Sequence, residues 1–136
     1  MSTSSMNATI SLLGRLGLSL IFIISGWSKI AGYAGTQQYM EAMGVPGALL
    51  PLVIALELGG GLAILAGLFT RGFALALAAF SLTAAALFHG NPGDANQSIL
   101  FWKNVAIAGG FLMLAASGTG AFSLDAVRIR RRHGSA

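Results

Sequence analysis

Residues 48–69 read ALLPLVIALELGGGLAILAGLF. Crossing a bilayer core takes about 20 apolar residues in a helix, and this run has that length. Its only charged residue is Glu57. Three further stretches match it: residues 9–28, whose only charge is Arg15, residues 72–89, and residues 98–117, with Lys103 near the start. None shows the alternation of a membrane strand. The chain has 136 residues, 55% apolar and 9% charged, with a mean hydropathy of +0.77. Soluble domains carry roughly a quarter charged residues. Soluble enzymes, nucleic-acid-binding domains and disordered scaffolds are thereby excluded. The expectation is an all-α membrane protein, a four-transmembrane-helix antiparallel bundle. Residues 1–136 form one membrane domain, with a basic tail over about residues 126–136.

Four spans place both termini on one side. That side holds Arg71 and the tail residues Arg128, Arg130, Arg131 and Arg132. The other holds Lys29, Glu41 and Asp94. Positive residues favour the cytoplasm, so both termini are expected there, with the protein in a plasma membrane. The first apolar stretch has no basic segment before it and is long for a secretion signal, so it reads as a retained helix. The tail arginines fit lipid headgroups better than nucleic acid, because no other basic surface accompanies them.

Residues 69–72 make a tight turn, so the second and third spans form a hairpin. His89-Gly90-Asn91-Pro92-Gly93 stops the third span, and Asp94 or Asn96 can cap the fourth. Residues 36–43 can form a short helix in the first outer loop, ended by Gly44. Its plain reading is a surface helix, its sharper one a lid over a bundle cavity. Small residues are expected to bring the helices together: Gly14 and Gly17 on the first, Gly59, Ala63 and Gly67 on the second, Ala106 and Gly110 on the fourth. Gly59-Gly60-Gly61, which starts two residues after Glu57, weakens the helix there or lets a ligand near the backbone.

A charged side chain in the bilayer centre costs roughly 2.5–3.5 kcal/mol on insertion scales. Glu57 is about nine residues below the outer end of its span, roughly 13 Å deep. It must be protonated, paired with a cation, or lining a polar cavity. Lys29, His89, Lys103 and Asn104 fall in the outer half, above it. Arg15 lies in the inner half, where snorkelling to headgroups and an internal pair with Glu57 weigh equally. The cluster is either a polar network that fixes helix register or a site for a polar-headed ligand or a proton. Trp27, Phe88, Phe101 and Trp102 flank the same boundary, as an aromatic belt does.

These residues and their surroundings resemble the DoxX family of small four-helix bacterial inner-membrane proteins. The matching pieces are Leu13-Gly14-Arg15, Phe22 to Lys29, Met43-Gly44-Val45-Pro46, Glu57 to Gly61, Gly67 to Arg71, Phe88-His89 and Lys103-Asn104 with Gly109-Gly110. The family takes its name from a subunit associated with a quinone-linked oxidoreductase. The resemblance therefore implies a redox or oxidative-stress association without a settled activity. It also implies that the intramembrane polar pattern carries over at Arg15, Lys29, Glu57, His89, Lys103 and Asn104.

Three functions compete. In the first, the chain is a quinone-interacting or accessory subunit of a membrane redox system. Lys103, Asn104 and His89 donate to the quinone oxygens, and Glu57 is the candidate proton carrier. The other ligand-site candidates are Lys29 and Arg15. In the second, it is a non-enzymic scaffold or assembly factor for a partner protein. In the third, it carries a small anion, which for four helices requires a homo-oligomer. The chain has no cysteine and only two histidines, His89 and the tail residue His133. Disulfides, iron–sulfur ligation and bis-histidine haem in the membrane are excluded, and no metal site is expected. No covalent cofactor is expected, and quinone is the candidate non-covalent one. Membrane lipids and a redox partner protein are the candidate partners.

Overall fold

The computed structural model describes residues 2–91 and 93–135. In chain order the helices are α1 (Thr3–Ala31), α2 (Tyr33–Ala42), α3 (Gly47–Ala66), α4 (Thr70–Phe88), α5 (Ala95–Ser117) and α6 (Leu124–Gly134). Among the described residues there is no strand. Four helices, α1, α3, α4 and α5, are long and apolar enough to cross a membrane. α1 packs on α3, and α4 pairs extensively with α5. Phe22, Ile64, Leu77, Ala78, Ala108 and Phe111 form the centre of the core. Phe22 meets Phe111 edge-on, with ring centroids 5.5 Å apart.

The helices meet closely where small residues face a neighbour, and these are not all the positions expected. Gly14, Gly17 and Gly59 have no neighbour within 4 Å of where a Cβ would stand. They are exposed, on faces turned away from the bundle. The close approach of α1 and α3 is made by Gly26 and Gly61. A Cβ on Gly26 would lie 3.0 Å from Leu58, and one on Gly61 would lie 2.9 Å from Ile23. Gly110 does face α1, at Leu18. Spacing of four along one helix identifies a face. It does not say which face the partner takes.

Gly67 also departs from the expected packing role. It is left-handed, with φ +70°, and it ends α3. Its amide donates to Ile64 O at 3.1 Å and the Leu68 amide to Ala63 O at 2.9 Å, a glycine-capped helix end. Three residues later α4 begins. The Asp125 carboxylate caps α4, accepting the amides of Phe69 at 2.8 Å and Thr70 at 3.0 Å. The tail is thereby docked as α6 against the α3–α4 turn. Asp94 is the cap of α5, accepting the Asn96 amide at 2.9 Å. The helix-stopping part expected of Pro92 lies outside the described residues. α2 ends at a left-handed Gly44, φ +79°.

Candidate functional site

Glu57 sits in the middle of a π turn, Ala55–Gly59, inside the otherwise α-helical α3. Such wide turns leave the regular hydrogen-bond ladder locally loosened and are found often at functional sites. Glycine contributes little to helix stability, so the three glycines from Gly59 make the departure inexpensive here. Gly60 and Gly61 then pack against Leu77 and Ile23.

Glu57 is 3% exposed. Its carboxylate accepts the Lys29 ammonium through both oxygens, at 2.9 Å and 3.1 Å. Lys29 also donates to Ser25 Oγ at 2.7 Å. A carboxylate this deep needs its charge matched, and Lys29 does this from the last turn of α1. Ser25 was not singled out from the sequence. Its four-residue spacing from Lys29 on a helix is the signal that points to it.

The pair closes one side of a cavity of about 420 Å³. His89, Lys103 and Asn104 line the same cavity, from the end of α4 and the first part of α5. Five of the six polar residues singled out from the sequence are thus brought together around one space. The rest of the lining is largely apolar, with Phe22, Phe80 and Phe88 among it. α2 contributes Tyr39 and Met40. The Tyr39 ring stacks on Phe88, with centroids 5.6 Å apart and planes 22° from parallel. His89 Nδ1 is 2.7 Å from Gln97 Oε1, which ties the end of α4 to the start of α5. Among the described residues, Lys103 has no ion pair and the Asn104 side chain no protein hydrogen bond. Trp27 and Trp102 are 66% and 63% exposed and point outward, as belt residues do.

Arg15 is the sixth residue, and the structure places it outside this cavity. It neither snorkels nor meets Glu57. It is 1% exposed, and its guanidinium donates to Ile64 O at 3.4 Å, Leu65 O at 3.3 Å and Phe122 O. The Ile64 carbonyl also accepts the capping Gly67 amide, but the carbonyls of the last turn of α3 have acceptor capacity to spare, and the negative end of the helix dipole is there. A buried cation at that point satisfies both. Arg15 therefore binds the end of α3 and the chain leading into α6.

The comparisons with known proteins agree with this architecture. The family profile described as DoxX matches residues 10–90. The chain is 59% identical over 114 residues to "Inner membrane protein YqjF" of Escherichia coli, covering 84% of this chain and 88% of the relative. It is 43% identical over 121 residues to "Inner membrane protein YphA" of the same organism, covering 84% and 86%. A shorter match, 38% over 61 residues, reaches "Putative oxidoreductase CatD" of Bacillus subtilis and covers 45% of this chain and 46% of that protein. No solved structure matches. With the family profile over more than half its length, close relatives in the inner membrane and four spanning helices, the chain belongs to the DoxX family and is a multi-pass protein of the bacterial inner membrane.

Proposed function

We propose that the protein holds a quinone or quinol in the cavity beside Glu57 and serves a membrane redox system as an accessory subunit. The observation that carries this reading is the lining. An apolar, aromatic space of about 420 Å³ ends in an ion pair and two polar side chains, Lys103 and Asn104, without side-chain partners among the described residues. That size is within the usual range for small-molecule pockets, roughly 300–1,000 Å³. A bound quinone would supply two-electron redox chemistry. The chain's own part is to orient and to handle protons. Lys103 and Asn104 donate to carbonyl oxygens, and His89 holds a proton at the rim. Glu57 exchanges a proton with the help of Lys29, whose ammonium matches the carboxylate charge. The electrons come from a partner protein. The partial match to a Bacillus protein named as an oxidoreductase supports this setting.

The excess of arginine at the end holding both termini supports a cytoplasmic location for them. The cavity then opens in the opposite half of the membrane, with α2 over its mouth as a lid.

The test is solvent extraction of the protein purified in native-lipid particles, followed by mass spectrometry. Wild type is compared with Glu57→Gln and with Asn104→Leu, which leaves the ion pair intact. Quinone enriched over bulk lipid in wild type and lost in both variants is the expected result. Quinone at the bulk-lipid level in all three samples would sink this reading and favour a scaffold role.

A further inference from the structure

At the opposite end of the bundle lies a second depression, and its chemistry differs. It forms where α4 begins, α5 ends and α6 docks. Arg71, Arg128 and Arg132 line it, with Asp125 as the acidic member. On α6, Asp125, Arg128 and Arg132 share one face by their three- and four-residue spacing. Arg128 is held in place, 3.6 Å from Asp125 Oδ1 and 4.1 Å above the Phe69 ring. Asp125 is already occupied with the amides of Phe69 and Thr70. Arg71 and Arg132 have no ion pair among the described residues. The space therefore carries an excess of two positive charges at the end of the hydrocarbon-spanning helices.

Thr70 lines the same depression but is 2% exposed, with its side chain against the Asp125 carboxylate. The donors that remain for a ligand are the planar guanidinium groups of Arg71 and Arg132, which suit a phosphate.

We infer that this depression binds the phosphate of an anionic phospholipid headgroup. Free phosphate shares that chemistry. The position favours the lipid: Ile129, on the same face of α6, lines the site and is 57% exposed, and Phe69, which also lines it, is 56% exposed. Apolar side chains next to arginines at a helix end match a headgroup with its acyl chains, whereas a free anion has no use for them.

The test uses the full chain reconstituted in phosphatidylcholine bilayers with and without phosphatidylglycerol, then extracted in mild detergent. Co-purifying lipid per protein is measured by mass spectrometry. Phosphatidylglycerol should be retained in preference to phosphatidylcholine. Arg71→Gln and Arg132→Gln should each lower its retention about tenfold, the effect expected for losing one charge-assisted hydrogen bond to a phosphate. Arg130 carries the same charge on α6 but does not line the site, so Arg130→Gln should leave retention near wild type. An equal loss with Arg130→Gln would mean diffuse tail charge and overturn the site. Indifference to Arg71→Gln and Arg132→Gln together would do the same. A thermal shift in detergent with inorganic phosphate, as large as that with phosphatidylglycerol, would assign the site to a free anion and overturn the lipid.

Discussion

Lys29 and Glu57 are 28 residues apart in the chain and joined by two short contacts, 2.9 Å and 3.1 Å, across the α1–α3 interface. Close approach of the two backbones makes this reach available. Gly26 meets Leu58 and Gly61 meets Ile23, both just beyond the pair on the side that holds the termini. The pair therefore rests on helix packing, and the cavity wall rests on the pair.

Removing one partner should be costly. Lys29→Met leaves a carboxylate that is 3% exposed without its cation. Breaking a buried pair costs about 3–5 kcal/mol, and the lower end applies because the Lys29 side chain is 24% exposed. Lys29→Met with Glu57→Leu should recover most of the loss, since neither charge then remains. Denaturant unfolding in micelles measures both. A single variant as stable as wild type would show that the pair contributes nothing to the fold.

The α1–α3 approach is testable at Gly61. A Cβ there would stand 2.9 Å from Ile23 Cγ1 and 3.2 Å from Ser19 O. Gly61→Val should force the helices apart at a cost of about 1–3 kcal/mol, as overpacking does. Gly59→Ala, at a position with open space around it, should be neutral or stabilising. Melting temperatures of the two variants should move in opposite directions or differ clearly in size.

Gly67 should tolerate nothing larger. Left-handed backbone costs an ordinary residue about 1–2 kcal/mol, and a Cβ would also strike the Arg15 guanidinium and Ser123. Gly67→Ala should destabilise the protein and loosen α6, exposing Arg128 and Arg132 to trypsin. Limited proteolysis at matched folding reads this directly. Wild-type cleavage rates would separate Gly67 from the docking of the tail.

Docking of α6 should depend on pH in the acid range. Burial alone pushes the Asp125 carboxyl up, but the hydrogen bonds from the Thr70 and Phe69 amides, with Arg128 nearby, outweigh it. The group sits below its ordinary value. A carboxyl depressed in the folded state stabilises fully above its unfolded value, near 3.9, and the contribution is lost as pH falls through the folded value. Opening of α6, read from hydrogen exchange corrected for the intrinsic amide rate at each pH, should thus be flat through neutral pH and rise only below the ordinary carboxylate range. Asp125→Asn should remove that rise. Release of α6 nearer pH 6 would contradict the assignment.

The sequence by itself determined the four spans, because length and hydropathy leave a helix as the only way to satisfy the backbone in lipid. It also put Lys29, His89, Lys103 and Asn104 in the half of the bundle beyond Glu57, since depth in the membrane follows from position along each span. Rotation about each helix axis does not follow from depth. Only the tertiary structure decided that Gly26 and Gly61, rather than Gly14 and Gly17, bring helices together. The same holds for Arg15. Its depth suited either a headgroup or Glu57, but its partners are carbonyls freed where α3 ends at Gly67 and where the chain returns at Phe122. Asp125 is the extreme case. A carboxylate in a basic tail has no local reason to matter, and its role exists only because folding brings it to the start of a helix 55 residues earlier. Backbone groups at helix ends need partners, and which distant side chain supplies them is a property of the folded chain.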